Sequence, residues 1–173
     1  MKVLSFNPKQ VKWAGKAYFF VVLMTVLGSC DGTRVYEENH ELKNNNWFID
    51  SVQTFTFTIE DPKKPYNLFL NVRNSVSYPF YNLFLRYYVY DSTHKELKSQ
   101  QLELILMDPT SGKPTGNGLG DIYTHEYPLL QHFEFPERGS YSIVLKQYMR
   151  QDPLPEVNSV GIRLENFVPS EKK

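Results

Sequence analysis

The segment with the most unusual composition for chemistry is residues 112–121, which contains Gly112, Gly116, Gly118 and Gly120 and ends at Asp121. It is not a P-loop, because no Gly-Lys-Ser/Thr follows, and it is not a dinucleotide fingerprint, because Asp121 occupies the position of the third glycine. Glycine at this density indicates positive φ or close backbone approach, and we expect positive φ at Gly118. We interpret the segment as a tight crossing between strands, with a partner-binding loop as the alternative.

The remaining polar residues give little indication of catalysis. No metal-ligand spacing such as H-x-H or H-E-x-x-H is found among His40, His94, His125 and His132. The aspartates lie beside turn residues, no D-x-D-x-D cluster supports a loop calcium site, and no G-x-S-x-G elbow indicates a serine nucleophile. We predict no catalytic residue, no metal site and no cofactor, although a pair of acids for glycoside hydrolysis would meet only in the fold.

Cys30 is the only cysteine of the 173-residue chain, which excludes a disulfide framework and a cysteine-based zinc cage. It follows Leu27-Gly28-Ser29, and this pattern resembles a bacterial lipobox, in which small residues precede a cysteine that receives lipid. Four lysines and no acid occupy residues 1–16, and an apolar run of about eleven residues follows, which is typical of a secretory signal and too short to span a bilayer. We predict a signal peptide at 1–29 and acylation of Cys30.

The net charge of the exported chain limits the classes of partner that it can bind. The full chain has 19 basic and 19 acidic residues, and cleavage before Cys30 removes four lysines, leaving 15 basic against 19 acidic residues. A nucleic-acid binder needs a basic stripe, so we predict no nucleic-acid partner. The attachment to the membrane would then come from the N-terminal lipid rather than from electrostatic attraction to anionic lipid.

The pattern after Cys30 divides the mature chain in two. Residues 30–46 are polar and without apolar period, so we predict a lipidated tether, with the packed domain at 47–173. Six segments of that domain alternate apolar and polar residues and are bounded by turn residues: 52–59, 66–73, 83–89, 102–106, 141–145 and 160–164. Residues 100–107 fit a strand or a helix. We predict an all-β antiparallel β-sandwich, jelly-roll or immunoglobulin-like, with a closed barrel as the alternative.

Two sets of side chains have roles that the sequence leaves open. Arg73, Arg150 and Arg163 are expected inside otherwise apolar strands, where each could organise a polar cluster with an acid or point outward to a partner protein. The aromatic runs 78–81 and 87–90 (Tyr-Pro-Phe-Tyr and Tyr-Tyr-Val-Tyr) are expected mostly in the core. A sugar-binding platform is the alternative, and with it a carbohydrate-binding surface lipoprotein.

The order of motifs resembles the gliding motility lipoprotein GldH family over nearly the whole chain. The motifs are the lipobox, Trp47, a Phe-rich strand, Leu70-Asn-Val-Arg73-Asn74, Tyr78-Pro79-Phe80, the glycine segment, Gly139-x-Tyr141, Gln147-x-Met149-Arg150 and Val160-Gly161-Ile162-Arg163. The resemblance implies a non-catalytic lipoprotein of the gliding and associated secretion apparatus. Its partners would be other envelope proteins, and its membrane would be the outer membrane.

Overall fold

The structure is a computed structural model, and it describes residues 32–169. Eleven strands and one 3-10 turn at Lys43–Asn45 form the described part of the chain. The strands are β1 (Arg34–Glu41), β2 (Asn46–Trp47), β3 (Gln53–Ile59), β4 (Tyr66–Ser75), β5 (Asn82–Tyr90), β6 (Glu96–Ile105), β7 (Asn117–Leu119), β8 (Ile122–Phe133), β9 (Gly139–Gln147), β10 (Leu154–Pro155) and β11 (Val157–Asn166). No helix between residues 32 and 169 is long and apolar enough to cross a membrane.

The strands form two main antiparallel sheets that pack into a sandwich, which confirms the predicted fold class. One sheet has the order β1-β11-β4-β8-β7 and the other β3-β9-β5-β6, while β2 and β10 pair separately. The eight long strands are β1, β3, β4, β5, β6, β8, β9 and β11. When they are counted from one to eight along the chain, one sheet has the order 1-8-3-6 and the other has the order 2-7-4-5. This is jelly-roll connectivity, so the jelly-roll alternative is the one the chain adopts.

The core follows directly from the alternation in the sequence. In β3 the side chains of Phe55, Phe57 and Ile59 are buried, and the threonines between them face solvent. The six segments with alternating residues fall on strands β3, β4, β5, β6, β9 and β11, except that Val52 and Leu106 lie one residue outside their strands. The ambiguous residues 100–107 begin as strand, because β6 pairs with β5 from Glu96 to Ile105. The buried aromatic side chains of Trp47, Tyr87 and Tyr141 fill the space between the sheets.

The packed domain begins earlier than the sequence predicted. Residues 34–41, assigned above to the tether, form strand β1 and pair with β11 from Arg34↔Glu165 to Glu41↔Ser159. The prediction failed because β1 is an edge strand whose side chains are mostly exposed, so it carries no apolar period. The signal peptide at 1–29 and Cys30 lie outside the described residues.

The longest strand was also missed by the sequence analysis. β8 contains twelve residues, and its pairing with β4 shifts register twice, near Leu68 and Phe69. Each bulge inserts an extra residue and reverses the inward-outward alternation. The period-two pattern of β8 is therefore broken in the sequence, although the strand itself is continuous.

Candidate functional site

Strand directions divide the sandwich into two ends. At one end β1, β4, β6 and β9 finish and β3, β5, β8 and β11 begin. We call this the loop end; its connections are residues 42–52, 76–81, 106–121 and 148–156. At the other end, the N-terminal end, β1 begins at Arg34 and the connections are 60–65, 91–95 and 134–138. The predicted glycine segment lies wholly at the loop end.

Exposed apolar side chains are concentrated at the loop end. Among residues 32–169, ten large hydrophobic residues are exposed, and eight of them lie there: Phe48, Ile49, Val52, Val76, Tyr81, Ile105, Leu119 and Tyr148. The other two of this described set, Val35 and Val168, lie at the N-terminal end. Scattered surface hydrophobics are normal, but a cluster of them indicates an interaction surface.

Hydrogen bonds join the loops of this end in two pairs. The Ile49 amide donates to Asp152 Oδ1 at 3.0 Å, and the Val76 amide donates to the Asp121 carbonyl at 2.8 Å. The Met107 amide donates to the Tyr81 carbonyl at 2.9 Å. Residues 42–52 are therefore tied to 148–156, and residues 76–81 are tied to 106–121.

The first half of the glycine segment is fixed by a turn around Asp108. Its Oδ1 accepts hydrogen bonds from the Ser111 amide at 2.7 Å and from the Thr110 amide at 3.1 Å. These bonds hold the pKa of the Asp108 carboxyl below its usual range. Gly112 follows with φ of 67°, a conformation that glycine adopts at little cost. The chain then crosses from the four-stranded to the five-stranded sheet, as the crossing interpretation predicted.

The second half of the segment is a tight hairpin that presents Leu119. β7 pairs with β8 through Leu119↔Ile122, with Gly120 at φ of 72° between them. The expectation of positive φ at Gly118 is wrong, since only Gly112 and Gly120 among the described glycines have it. Gly118 is instead a close approach, because a Cβ there would lie 2.6 Å from Tyr123 Cδ1 and would meet the Ile122 carbonyl. The hairpin leaves Leu119 95% exposed.

His125 lies beneath the glycine segment in a groove of about 410 Å³, lined also by Ile105, Thr115 and Tyr127. Its side chain is buried, its Nδ1 is 3.4 Å from Thr115 Oγ1, and its Nε2 has no hydrogen-bond partner among the described residues. Burial lowers the pKa of His125 to about 4, so the imidazole is neutral at pH 7. Among residues 32–169, no carboxylate forms a hydrogen bond with the ring.

The other histidines are separated from His125 and from one another. His40 stacks on Phe55 with ring centroids 4.2 Å apart, and His132 stacks on Phe167 at 4.4 Å. His94 occupies a turn with φ of 62°. Across residues 32–169, no three His, Cys, Asp or Glu side chains are grouped so that they could hold a metal ion.

A second, more apolar groove of about 470 Å³ lies between the loop that precedes β5 and the loop that follows β9. Phe80, Phe84, Tyr148, Met149, Arg150 and Gln151 line it. The Phe84 amide is 3.2 Å from Met149 Sδ, and the Tyr148 amide donates to the Phe84 carbonyl at 2.8 Å. The sequence analysis missed this groove. Phe80, Tyr148 and Met149 lie in loops where no period identifies them, and Phe84 lies on the outer face of β5.

The three arginines have different environments. Arg163 forms ion pairs with Glu126 and Glu165, each at 2.8 Å, and its guanidinium lies 5.0 Å above the Phe69 ring. It therefore organises a polar cluster. Arg73 Nη1 is 3.5 Å from Oε1 of Glu41, the last residue of β1, which β11 separates from β4. Arg150 is exposed and borders the apolar groove.

The aromatic runs are divided between core and surface. Tyr78 and Tyr87 are buried, as expected, whereas Tyr88 and Tyr90 lie on the outer face of the four-stranded sheet. Their rings stack with centroids 6.1 Å apart and planes within 10°. Part of the alternative platform is therefore exposed.

Comparison with known proteins identifies the family. Residues 34–164 match the family model of the GldH lipoprotein. A gliding motility lipoprotein GldH homolog of Christiangramia forsetii is 30% identical over 88% of this chain and 96% of its own length. The gliding motility lipoprotein GldH of Flavobacterium johnsoniae is 33% identical over 81% of this chain and 89% of its own length. Latent PorU from Porphyromonas gingivalis is 9% identical, with a TM-score of 0.30 over 80% of this chain and 14% of that one, too low for structural argument. The chain belongs to the GldH lipoprotein family.

Proposed function

We propose that this protein is a non-catalytic lipoprotein of the gliding motility and associated secretion machinery, anchored to the outer membrane through Cys30. It acts by binding other envelope proteins through the loop end. The motility role is supported by the relatives, which are named gliding motility lipoproteins. The observation that carries the binding role is that this end holds eight of the ten large hydrophobic residues that are exposed in the described part of the chain.

The short connection between Cys30 and the domain supports an orientation in which the loop end points away from the lipid. Because β1 begins at Arg34, only residues 31–33 separate it from Cys30. Four Cα steps span at most about 14 Å. An acylated Cys30 therefore holds the N-terminal end of the sandwich next to the lipid surface. The loop end, at the opposite ends of the same strands, points away from the lipid and toward proteins of the envelope.

The chemistry of the loop end suits contact rather than catalysis. Binding energy in protein interfaces is concentrated in a few apolar and aromatic anchors, and Leu119, Phe48 and Tyr81 are available as such anchors. The hairpin that carries Leu119 is fixed by close backbone packing, so little ordering entropy is lost on binding. His125, the buried histidine of this region, is neutral and lacks an orienting carboxylate.

Site-specific photo-crosslinking in a gliding relative tests the binding role. A photoreactive phenylalanine at position 119 should crosslink to envelope proteins, whereas the same residue at position 168, at the N-terminal end, should not. In a separate strain, Leu119→Asp should reduce the complementation of a deletion strain. Val168→Asp is the matched control, because Val168 is also exposed, at 61%, but lies at the other end.

Stability and fractionation complete the test. Neither Asp variant should change the melting temperature, because both side chains are largely exposed. Equal crosslinking at positions 119 and 168, or normal gliding by a Leu119→Asp, Phe48→Asp double variant, would contradict binding through the loop end. Cys30→Ser should release the protein from the outer-membrane fraction, and retention of that variant in the fraction would contradict the anchor.

A further inference from the structure

The outer face of the four-stranded sheet carries two cations directly opposite each other. Arg86 of β5 and Lys146 of β9 are cross-strand partners, and both side chains point away from the core. Like charges in this arrangement destabilise a sheet. Within residues 32–169 neither side chain forms an ion pair with Asp or Glu. The two cations lie opposite each other although the domain contains more acidic than basic residues.

Acids elsewhere on this face do not neutralise the pair. Glu103 lies on the same face of β6, opposite Phe84, and its carboxylate accepts a hydrogen bond from Asn82 Nδ2 at 2.6 Å. Glu96 lies opposite Tyr90 at the far end of the strand. The two cations are therefore left to attract an anion from outside the chain.

The Arg86 guanidinium is held in place by neighbouring side chains. Its Cζ lies 5.2 Å above the Tyr88 ring, and its Nη2 is 3.3 Å from Ser99 Oγ. Its Nε is buried and has no hydrogen-bond partner in the described chain. A guanidinium fixed by stacking is preorganised for a planar anion such as a carboxylate.

Tyrosine rings extend the surface on both sides of the cations. Tyr88 and Tyr90 stack on each other along β5, and Tyr148, 41% exposed, hydrogen-bonds to Tyr88. That bond, with smaller contributions from Lys146 and Arg86, lowers the pKa of the Tyr148 hydroxyl. Rings of this kind offer an apolar face with a polar edge.

Hydroxyl groups continue the same face toward β3. The register places Thr54 opposite Val144 and Thr56 opposite Ser142, and these in turn neighbour Tyr88 and Tyr90. The face is therefore an open row of rings and hydroxyls across three strands, with a cationic pair at one side.

We propose that this face, formed by Arg86, Lys146, Tyr88, Tyr90 and Tyr148, binds an acidic polysaccharide. Uronate carboxylates contact Arg86 and Lys146, while the sugar rings lie against the tyrosines. The hydroxyl groups of the sugars form hydrogen bonds with Thr54 and Thr56. An open sheet face suits an extended polymer, and two cations suit widely spaced carboxylates rather than the dense charge of a nucleic acid. The site shares only Tyr148 with the loop end and does not depend on the proposed motility role.

Affinity electrophoresis of the full mature lipoprotein in detergent tests the proposal, with alginate as the acidic polysaccharide and dextran as the neutral one. Alginate should retard the wild-type protein, increasingly so at low salt, and dextran should not. Lys146→Gln should weaken binding to alginate at least about tenfold, equivalent to about 1.4 kcal/mol. Lys64→Gln is the matched control, because Lys64 lies at the N-terminal end beside Asp61.

A second variant separates loss of binding from loss of folding. Tyr148→Ala removes an exposed ring and should weaken alginate binding without lowering the melting temperature, while Lys146→Gln relieves repulsion and should not lower it either. Absence of alginate retardation, equal binding by Lys146→Gln and Lys64→Gln, or stronger retardation by dextran would each overturn the proposal. So would phosphatidylglycerol vesicles that bind with the same dependence on Lys146, because the ligand would then be a lipid surface.

Discussion

Replacing Gly161 with alanine tests whether residues 34–41 are a strand of the sandwich or a free tether. Gly161 of β11 lies opposite Asn39 of β1. A Cβ at Gly161 would lie 2.5 Å from the Glu38 carbonyl oxygen and would also meet the Asn39 side chain. The carbonyl belongs to the backbone, so the two strands must move apart. Overpacking of this kind costs about 1–3 kcal/mol.

Gly139→Ala is the control, because Gly139 begins β9, has no positive φ and has nothing within 4 Å of a built Cβ. Both variants share the entropic effect of replacing glycine in the unfolded chain, about 0.4–1 kcal/mol in favour of alanine. The difference between the two free energies of unfolding is therefore the steric cost, about 1–3 kcal/mol. For a domain of this size it corresponds to roughly 3–12 °C in melting temperature.

Urea and thermal unfolding of residues 31–173, followed by circular dichroism, measure this difference. Trypsin cleavage after Lys43 supplies a local readout, which should accelerate in Gly161→Ala as β1 loosens. If Gly161→Ala and Gly139→Ala are equally stable and equally resistant, then β1 does not pack against β11. The domain would then begin near Trp47, as the sequence alone predicted, and the short-connection argument for the orientation would fail.

Three further outcomes are expected. Gly118→Val should separate β7 from the Ile122 carbonyl and abolish crosslinking through position 119. It should lower the melting temperature less than Gly161→Ala does, because β7 is a three-residue edge strand. A larger decrease in melting temperature than that of Gly161→Ala would contradict this prediction. Because the pKa of His125 is about 4 in the folded protein and about 6.5 unfolded, its contribution to stability is complete above pH 6.5. It falls as the pH drops toward 4, by at most about 1.4 kcal/mol per pH unit. His125→Gln should therefore reduce the slope of the free energy of unfolding against pH over that range. An unchanged slope would refute the burial argument. Trp47→Ala, at a fully buried site whose Nε1 donates to the Ser51 carbonyl at 2.9 Å, should cost about 3–5 kcal/mol in urea unfolding; a cost under about 1 kcal/mol would place Trp47 outside the core.

The candidate site could be located only in part from the sequence. Four glycines in nine residues identified the crossing between the sheets, because such density has few conformational explanations. The steric reason for Gly118 could not be predicted, since it depends on the Ile122 carbonyl across the hairpin. Phe48, Tyr81 and Tyr148 are far apart in the chain and lie in loops, so only strand direction shows that they share one end.

The sequence by itself determined which faces of the strands are buried. Alternation has a period of two, and a side chain's place in that period decides whether it points inward, so Phe55, Tyr87 and Ile143 are core residues in any antiparallel pairing. The same local pattern identified the six strands in which apolar and polar residues alternate most clearly. It failed for β1, which is exposed at the sheet edge, and for β8, whose bulges break the period.

Only the tertiary structure decided how these strands are ordered and what their surfaces bring together. Pairing partners such as β1 and β11 come from opposite ends of the chain, and nothing in the local pattern of either strand specifies the other. The opposition of Arg86 and Lys146 is likewise a consequence of register between β5 and β9. Local periodicity follows from the backbone geometry of a single strand, whereas a shared end or face depends on contacts between residues far apart in the sequence.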